Sequence, residues 1–126
     1  MDTRTQESLA RDEVGSLISS SRVTGTEVYN PKGDHLGTVE HVMIDKLSGQ
    51  VGYAVMSFGG FLGIGEKYHP LPWAVLDYDV AKGGYVVDLD KKTLEGAPYY
   101  GDTSDPYDWA DRGWRSRVDK YYQPFL

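Results

Sequence analysis

The sequence predicts a mainly β protein: a small β-barrel followed by a C-terminal helical extension. From Arg22 the chain breaks into short runs rich in β-branched and aromatic residues, regularly spaced and separated by turn signals, the pattern of an all-β barrel. One run, VGYAVMSF at 51–58, is apolar at successive positions, as a strand covered on both faces is. Near the C-terminus the spacing of apolar residues changes to three and four, which is helical.

Residues 1–21 form a polar N-terminal tail in which Leu9, Val14, Leu17 and Ile18 are loosely spaced. A short helix and a disordered segment are both compatible with it. Residues 22–99 form the barrel. RVTGTEVY leads into NPKGD, where Asn30 starts a turn, Pro31 presets φ and Gly33 accepts a positive φ. HLGTVEHVMID follows and is closed by KLSGQ, with Gly49 in the turn. Leu36 and Val39 differ in parity, so this run needs a bulge to turn both inward, and small barrels use bulges to curve. After VGYAVMSF and a glycine-rich stretch come KYHPLPW and AVLDYDV, then the turn AKGG and the strand YVVDL. DKKTLEGAP reads as one helical turn stopped by Gly96 and Pro98.

Residues 100–126 form the extension. Asp105 can cap a helix with Pro106 at its first position. Tyr107, Ala110, Trp114, Val118 and Tyr121 then recur at spacings of 3, 4, 4 and 3, one apolar stripe on a helix ending near Tyr122. Gly113 weakens that helix by about 1 kcal/mol relative to Ala.

A chain of 126 residues is one domain and can bury a core without staples. It has no cysteine, which removes disulfides, a thiolate nucleophile and Cys-ligated metal. No apolar run approaches the roughly 18 residues of a membrane helix, and MDTRTQESLARDEVGS has no apolar h-region. The expectation is a cytoplasmic protein without membrane insertion. The net charge of −6, with Lys and Arg scattered among acids, disfavours direct nucleic-acid binding and tolerates a basic protein partner better.

The stretch GGFLGIGEKYHPLPW (59–73) is the first candidate for chemistry. Gly60 and Gly65 have the separation of a phosphate-binding loop, but Glu66 stands where that loop needs its lysine and would repel phosphate. The two prolines that follow exclude the helix a dinucleotide fingerprint opens. The glycines therefore read as a turn, and Phe61, Leu62 and Ile64 as its apolar tip, folded over the barrel end or facing a partner. His35 and His41 stand about 20 Å apart at strand rise and cannot share a metal without a sharp bend. His69 has no motif that places a nucleophile beside it. All three histidines are expected at the surface, solvated or hydrogen-bonded. Asp77, Asp79, Asp88 and Asp90 alternate on two adjacent strands and read as solvent-facing. Trp73 is expected to fill the core. No catalytic, metal or cofactor-binding residue is predicted.

The segment from about Arg22 to Tyr99 resembles the PRC-barrel family. The matching elements are Gly25, Val28, Tyr29, Asn30, Gly33 and Gly37 at the opening, Asp45 and Gly49 in the second turn, the strand ending in SFGGFLGIGEK, and the Pro72–Trp73 step. The family includes the cytoplasmic domain of the H subunit of photosynthetic reaction centres, the C-terminal domain of a ribosome maturation factor, and free-standing bacterial proteins. The resemblance implies a six-stranded PRC-type barrel that serves as a binding module rather than a catalyst.

The expected function is a non-enzymatic module for protein–protein interaction, with a second copy of itself as one partner. The candidate contact residues are Phe61, Leu62 and Ile64 in the loop, and Trp109, Trp114, Tyr121 and Tyr122 on the helix, whose stripe packs on its own barrel or on a partner's. One alternative is an accessory factor in ribosome assembly or RNA processing, acting through a basic protein partner. Another is a small-molecule binder at the barrel mouth.

Overall fold

Three asparagine- or aspartate-led turns set the strand boundaries. The computed structural model describes residues 13–14, 17–58, 67–100, 109 and 111–126. Asn30 is buried, and its side chain both accepts from the Asp34 amide at 2.9 Å and donates to the Asp34 carboxylate at 3.0 Å, with Gly33 at φ 92°. In the second turn Asp45 Oδ1 accepts from the Leu47 and Ser48 amides at 2.8 and 3.1 Å, which holds its carboxyl below the usual range. Asp79 repeats the device in the last turn, accepting from the Lys82 amide. An Asx side chain at a turn start replaces a backbone acceptor and fixes where the chain reverses.

The chain begins with a short antiparallel pair, β1 (Glu13–Val14) and β2 (Leu17–Ile18), and a helical turn, α1 (Ser20–Val23). The main sheet follows: β3 (Glu27–Tyr29), β4 (His35–Ile44), β5 (Val51–Phe58) and β6 (Lys67–Pro72), a 3₁₀ turn at Trp73–Val75, then β7 (Asp77–Asp79) and β8 (Gly84–Val86). Its order is β6-β5-β4-β3-β8-β7, antiparallel except for the parallel β3–β8 pair. The protein is thus mainly β, with six strands in one mixed sheet. Among the described residues β6 and β7, the two ends of the sheet, are not hydrogen-bonded to each other. Two helices complete the fold: α2 (Lys91–Glu95), capped by Asp90, and α3 (Arg112–Tyr122).

The parity problem in β4 is solved by bulges. Val28 pairs with Gly37 and Tyr29 with His35, so Leu36 is the extra residue, and a second shift lies between Val39 and His41. Leu36 and Val39 are both buried as a result. Gly37 sits where β4 leaves no room for a side chain against β5. A Cβ there would collide with the Ser57 carbonyl and lie 2.9 Å from Met56 Cγ. In β5 the run Ala54–Ser57 is buried at every position, as expected of a strand covered on both faces. The core gathers Val28, Met56, Leu71, Tyr85, Val87 and Leu94.

Four expectations need correction. The C-terminal helix begins at Arg112, where Asp111 accepts from the Gly113 and Trp114 amides, and not at Pro106. Residues 101–108 and 110, with Asp105, Pro106, Tyr107 and Ala110, lie outside the described residues. Gly113 therefore stands in the first turn, where its cost is smallest. Asp88 and Asp90 lie past the end of β8 rather than on it. Trp73 is only partly buried, packing edge-on against Tyr85 at 5.4 Å between ring centroids. His69 is not a surface residue at all: it is fully buried.

Candidate functional site

Beyond α2 the chain turns back along the free edge of β6. The Tyr68 amide donates to the Tyr100 carbonyl at 2.8 Å and the Tyr100 amide to the Tyr68 carbonyl at 3.1 Å, and the two rings stack. Pro70 and Pro72 share the parity of Tyr68, so their missing N–H groups fall on this same outer edge. The proline spacing thus leaves Tyr68 as the point where the returning segment attaches and blunts the edge beyond it.

This attachment seals His69. Its ring lies between Phe58 and Tyr99, each 5.7 Å away between centroids, and Lys67 Nζ sits 4.5 Å over the Tyr99 ring. Neither ring nitrogen has a hydrogen-bond partner of good geometry. Burial pushes its pKa down to about 4, and the Pro98 backbone opposes that only in part. His69 is therefore a neutral core residue and not an acid–base group at neutral pH. His35 and His41 are exposed, and His35 pairs with Glu27. Among the described residues no group of three or more His, Asp or Glu could hold a metal ion.

Helix α3 packs its inward face on its own barrel. Val118 and Tyr122 are fully buried, and α3 rests against β6. Burial pushes the Tyr122 hydroxyl well above its usual pKa. Two hydrogen bonds fix the helix rotation. Tyr121 Oη donates to the Thr93 carbonyl at 2.6 Å, tying α3 to α2, and Tyr53 Oη donates to Asp119 Oδ1 at 2.8 Å. Burial, and after it the Asp119 contact, raise the Tyr53 phenol to about 12.

With the helix so fixed, Trp114, Arg117 and Tyr121 form one ridge at spacings of three and four. That ridge is one wall of an open groove of about 680 Å³. Pro98 and Tyr99 form the facing wall, and Lys120 stands beside the ridge. Tyr99 is 46% exposed. Among the described residues neither Arg117 nor Lys120 joins an ion pair. Asp119, the acid between them in sequence, is engaged with Tyr53.

The predicted contact residues divide four ways. Trp114 and Tyr121 line the groove. Trp109 stands outside it, partly buried against Tyr53 and Trp114, while Tyr122 belongs to the core and presents nothing to a partner. Phe61, Leu62 and Ile64 lie outside the described residues. Sequence reasoning missed Pro98, Tyr99, Arg117 and Lys120. For Arg117 a signal existed, since it continues the spacing of Trp114 and Tyr121, and Lys120 follows it by one helical turn. For Pro98 and Tyr99 none did, since only the backbone pairing at Tyr68 brings them to the helix.

The model of one family, the PRC-barrel domain, matches residues 16–94. This chain belongs to the PRC-barrel family. No curated protein matches the chain. The match takes in the PRC barrel from the start of β2 to the end of the six-stranded sheet and most of α2. Every groove-lining residue lies beyond it, from Gly96 onward. The groove is thus built from the segment this PRC-barrel protein adds after its barrel. No helix among the described residues is long and apolar enough to cross a membrane.

Proposed function

We propose that this PRC-barrel protein is a non-enzymatic protein-interaction module, self-association included. One observation carries the reading: an open groove lined by the rings of Tyr99, Trp114 and Tyr121 and by Arg117 and Lys120, which join no ion pair among the described residues, the chemistry of recognition rather than of bond-making. Aromatic side chains that keep exposed faces on a rigid support are the anchors protein contacts use. The support here is rigid because Tyr121 and Asp119 are both tied by hydrogen bonds. A second apolar surface supports self-association: at the β4–β5 turn Ile44 is 52% and Leu47 94% exposed. The cations of the groove favour an acidic over a basic partner at this surface, which weighs against action through a basic ribosomal protein.

Two measurements test the proposal together: sedimentation velocity of the full chain over a wide concentration range, and a crosslinked pull-down from the native cell with Trp114→Ser as the control. Concentration-dependent assembly, or a crosslinked partner that Trp114→Ser loses while its melting temperature holds, supports the module. A chain that stays monomeric and returns no partner sensitive to Trp114 overturns it.

A further inference from the structure

We infer that the groove beside α3 binds an acidic peptide segment of a partner protein, one that pairs carboxylates with an aromatic or aliphatic anchor. The inference rests on the interaction-module reading and names the partner's chemistry. Arg117 and Lys120 lie one helical turn apart and are both exposed. Among the described residues neither has an ion-pair partner. Lys67 adds a third cation nearby, where its ammonium lies over the Tyr99 ring. Guanidinium and ammonium groups at this spacing can each take a carboxylate from one extended strand.

The space between the walls is apolar and aromatic, formed by Pro98, Tyr99, Trp114 and Tyr121. At about 680 Å³ it admits a few side chains and not a folded domain. The occupant is therefore a short segment: its apolar side chain sits between the rings and its carboxylates reach the rim cations. Charge decides against a nucleic acid, although aromatic faces and cations can also hold a single strand. A polynucleotide carries a phosphate at every residue and would run from three cations into the field of a chain with net charge −6. A peptide with two or three carboxylates confines its charge to the groove.

The experiment uses the full chain, biotinylated and panned against a displayed random-peptide library. Enriched sequences are synthesised with a fluorophore, and their affinity is read by anisotropy for the wild type, Arg117→Glu/Lys120→Glu, and Lys46→Glu at the distant β4–β5 turn. The expected result is enrichment of peptides that combine Asp or Glu with an aromatic or aliphatic residue. They bind the double variant about tenfold or more weakly, as reversal of two rim charges gives, and Lys46→Glu unchanged. Equal melting temperatures for the three proteins show that the groove, not the fold, was altered. No enrichment, enriched peptides without acids, or binding indifferent to the double reversal overturns the inference. So does a labelled single-stranded oligonucleotide that binds more tightly through the same two residues. If a Trp114-dependent partner is captured from cells while peptide binding ignores Arg117 and Lys120, the module reading stands and only the acidic-peptide inference falls.

Discussion

At the scale of single residues, His69 is the most exacting position in the barrel. Its ring is enclosed by Phe58 and Tyr99 without a good hydrogen bond, so the core tolerates only the neutral form. The folded pKa of about 4 lies below the usual 6.5. Above pH 6.5 both folded and unfolded chains hold the ring neutral, and nothing is lost. Between 6.5 and about 4 the unfolded chain binds a proton that the folded chain refuses, so stability falls with pH and the loss is complete below about 4. That gap corresponds to about 3 kcal/mol. Urea denaturation near neutral pH and near pH 4 should show the wild type losing about 3 kcal/mol more than His69→Leu, which has no proton to take up. Equal losses would mean that the buried imidazole is not the acid-sensitive group. Gly37 is exacting for a steric reason. Its missing Cβ lets β4 pass the Ser57 carbonyl, and Gly37→Ala is expected to cost about 2 kcal/mol or more in the same assay.

At the scale of elements, α3 is held by a cap, a buried face and two tethers, and these separate by magnitude. Asp111→Ala removes the acceptor for the Gly113 and Trp114 amides and should cost about 1 kcal/mol. Tyr122→Ala empties a fully buried site and should cost about 4 kcal/mol in chemical denaturation. An effect of Tyr122→Ala no larger than that of the cap would show that α3 is only loosely docked on β6. The same helix shows what the sequence could and could not disclose. Its existence and its end near Tyr122 were legible from spacing. Its start was not, because Asp105–Pro106 is as good a capping signal as Asp111. Which tyrosine faces inward was not legible either: Val118 leads equally to Tyr121 by three and to Tyr122 by four, and only the tertiary Tyr121–Thr93 and Tyr53–Asp119 bonds settle the rotation. In the barrel, turn residues announced the reversals after β3, β4 and β7, and parity announced the need for a bulge in β4. The burial of His69 was hidden, since it depends on Tyr99 lying over it, and that follows from the backbone pairing of Tyr68 with Tyr100, two residues 32 positions apart in the chain. The groove was half legible for the same reason, one wall being a helix ridge and the other a tertiary accident of the β6 edge.

At the scale of the whole molecule, the net charge of −6 sets two binding modes against each other. Two copies of an acidic chain repel at long range, so contact through apolar surface such as Ile44 and Leu47 works against that field. An acidic peptide approaching Arg117 and Lys120 is drawn by these two cations against the net negative field of the molecule. Salt shortens the reach of both fields, to about 8 Å at physiological ionic strength. Its effect on the two modes is opposite in sign. Raising salt from a low to a moderately high concentration should tighten self-association, seen as a rise in the weight-average sedimentation coefficient at fixed protein concentration. The same change should weaken the groove's affinity for an acidic peptide, seen in anisotropy. The Arg117→Glu/Lys120→Glu chain, four charges more negative, should show the larger gain of self-association with salt and no salt-dependent loss of peptide binding. If self-association weakens with salt as peptide binding does, then copies of this chain meet through the groove itself, one molecule's acidic surface seated on the other's cations.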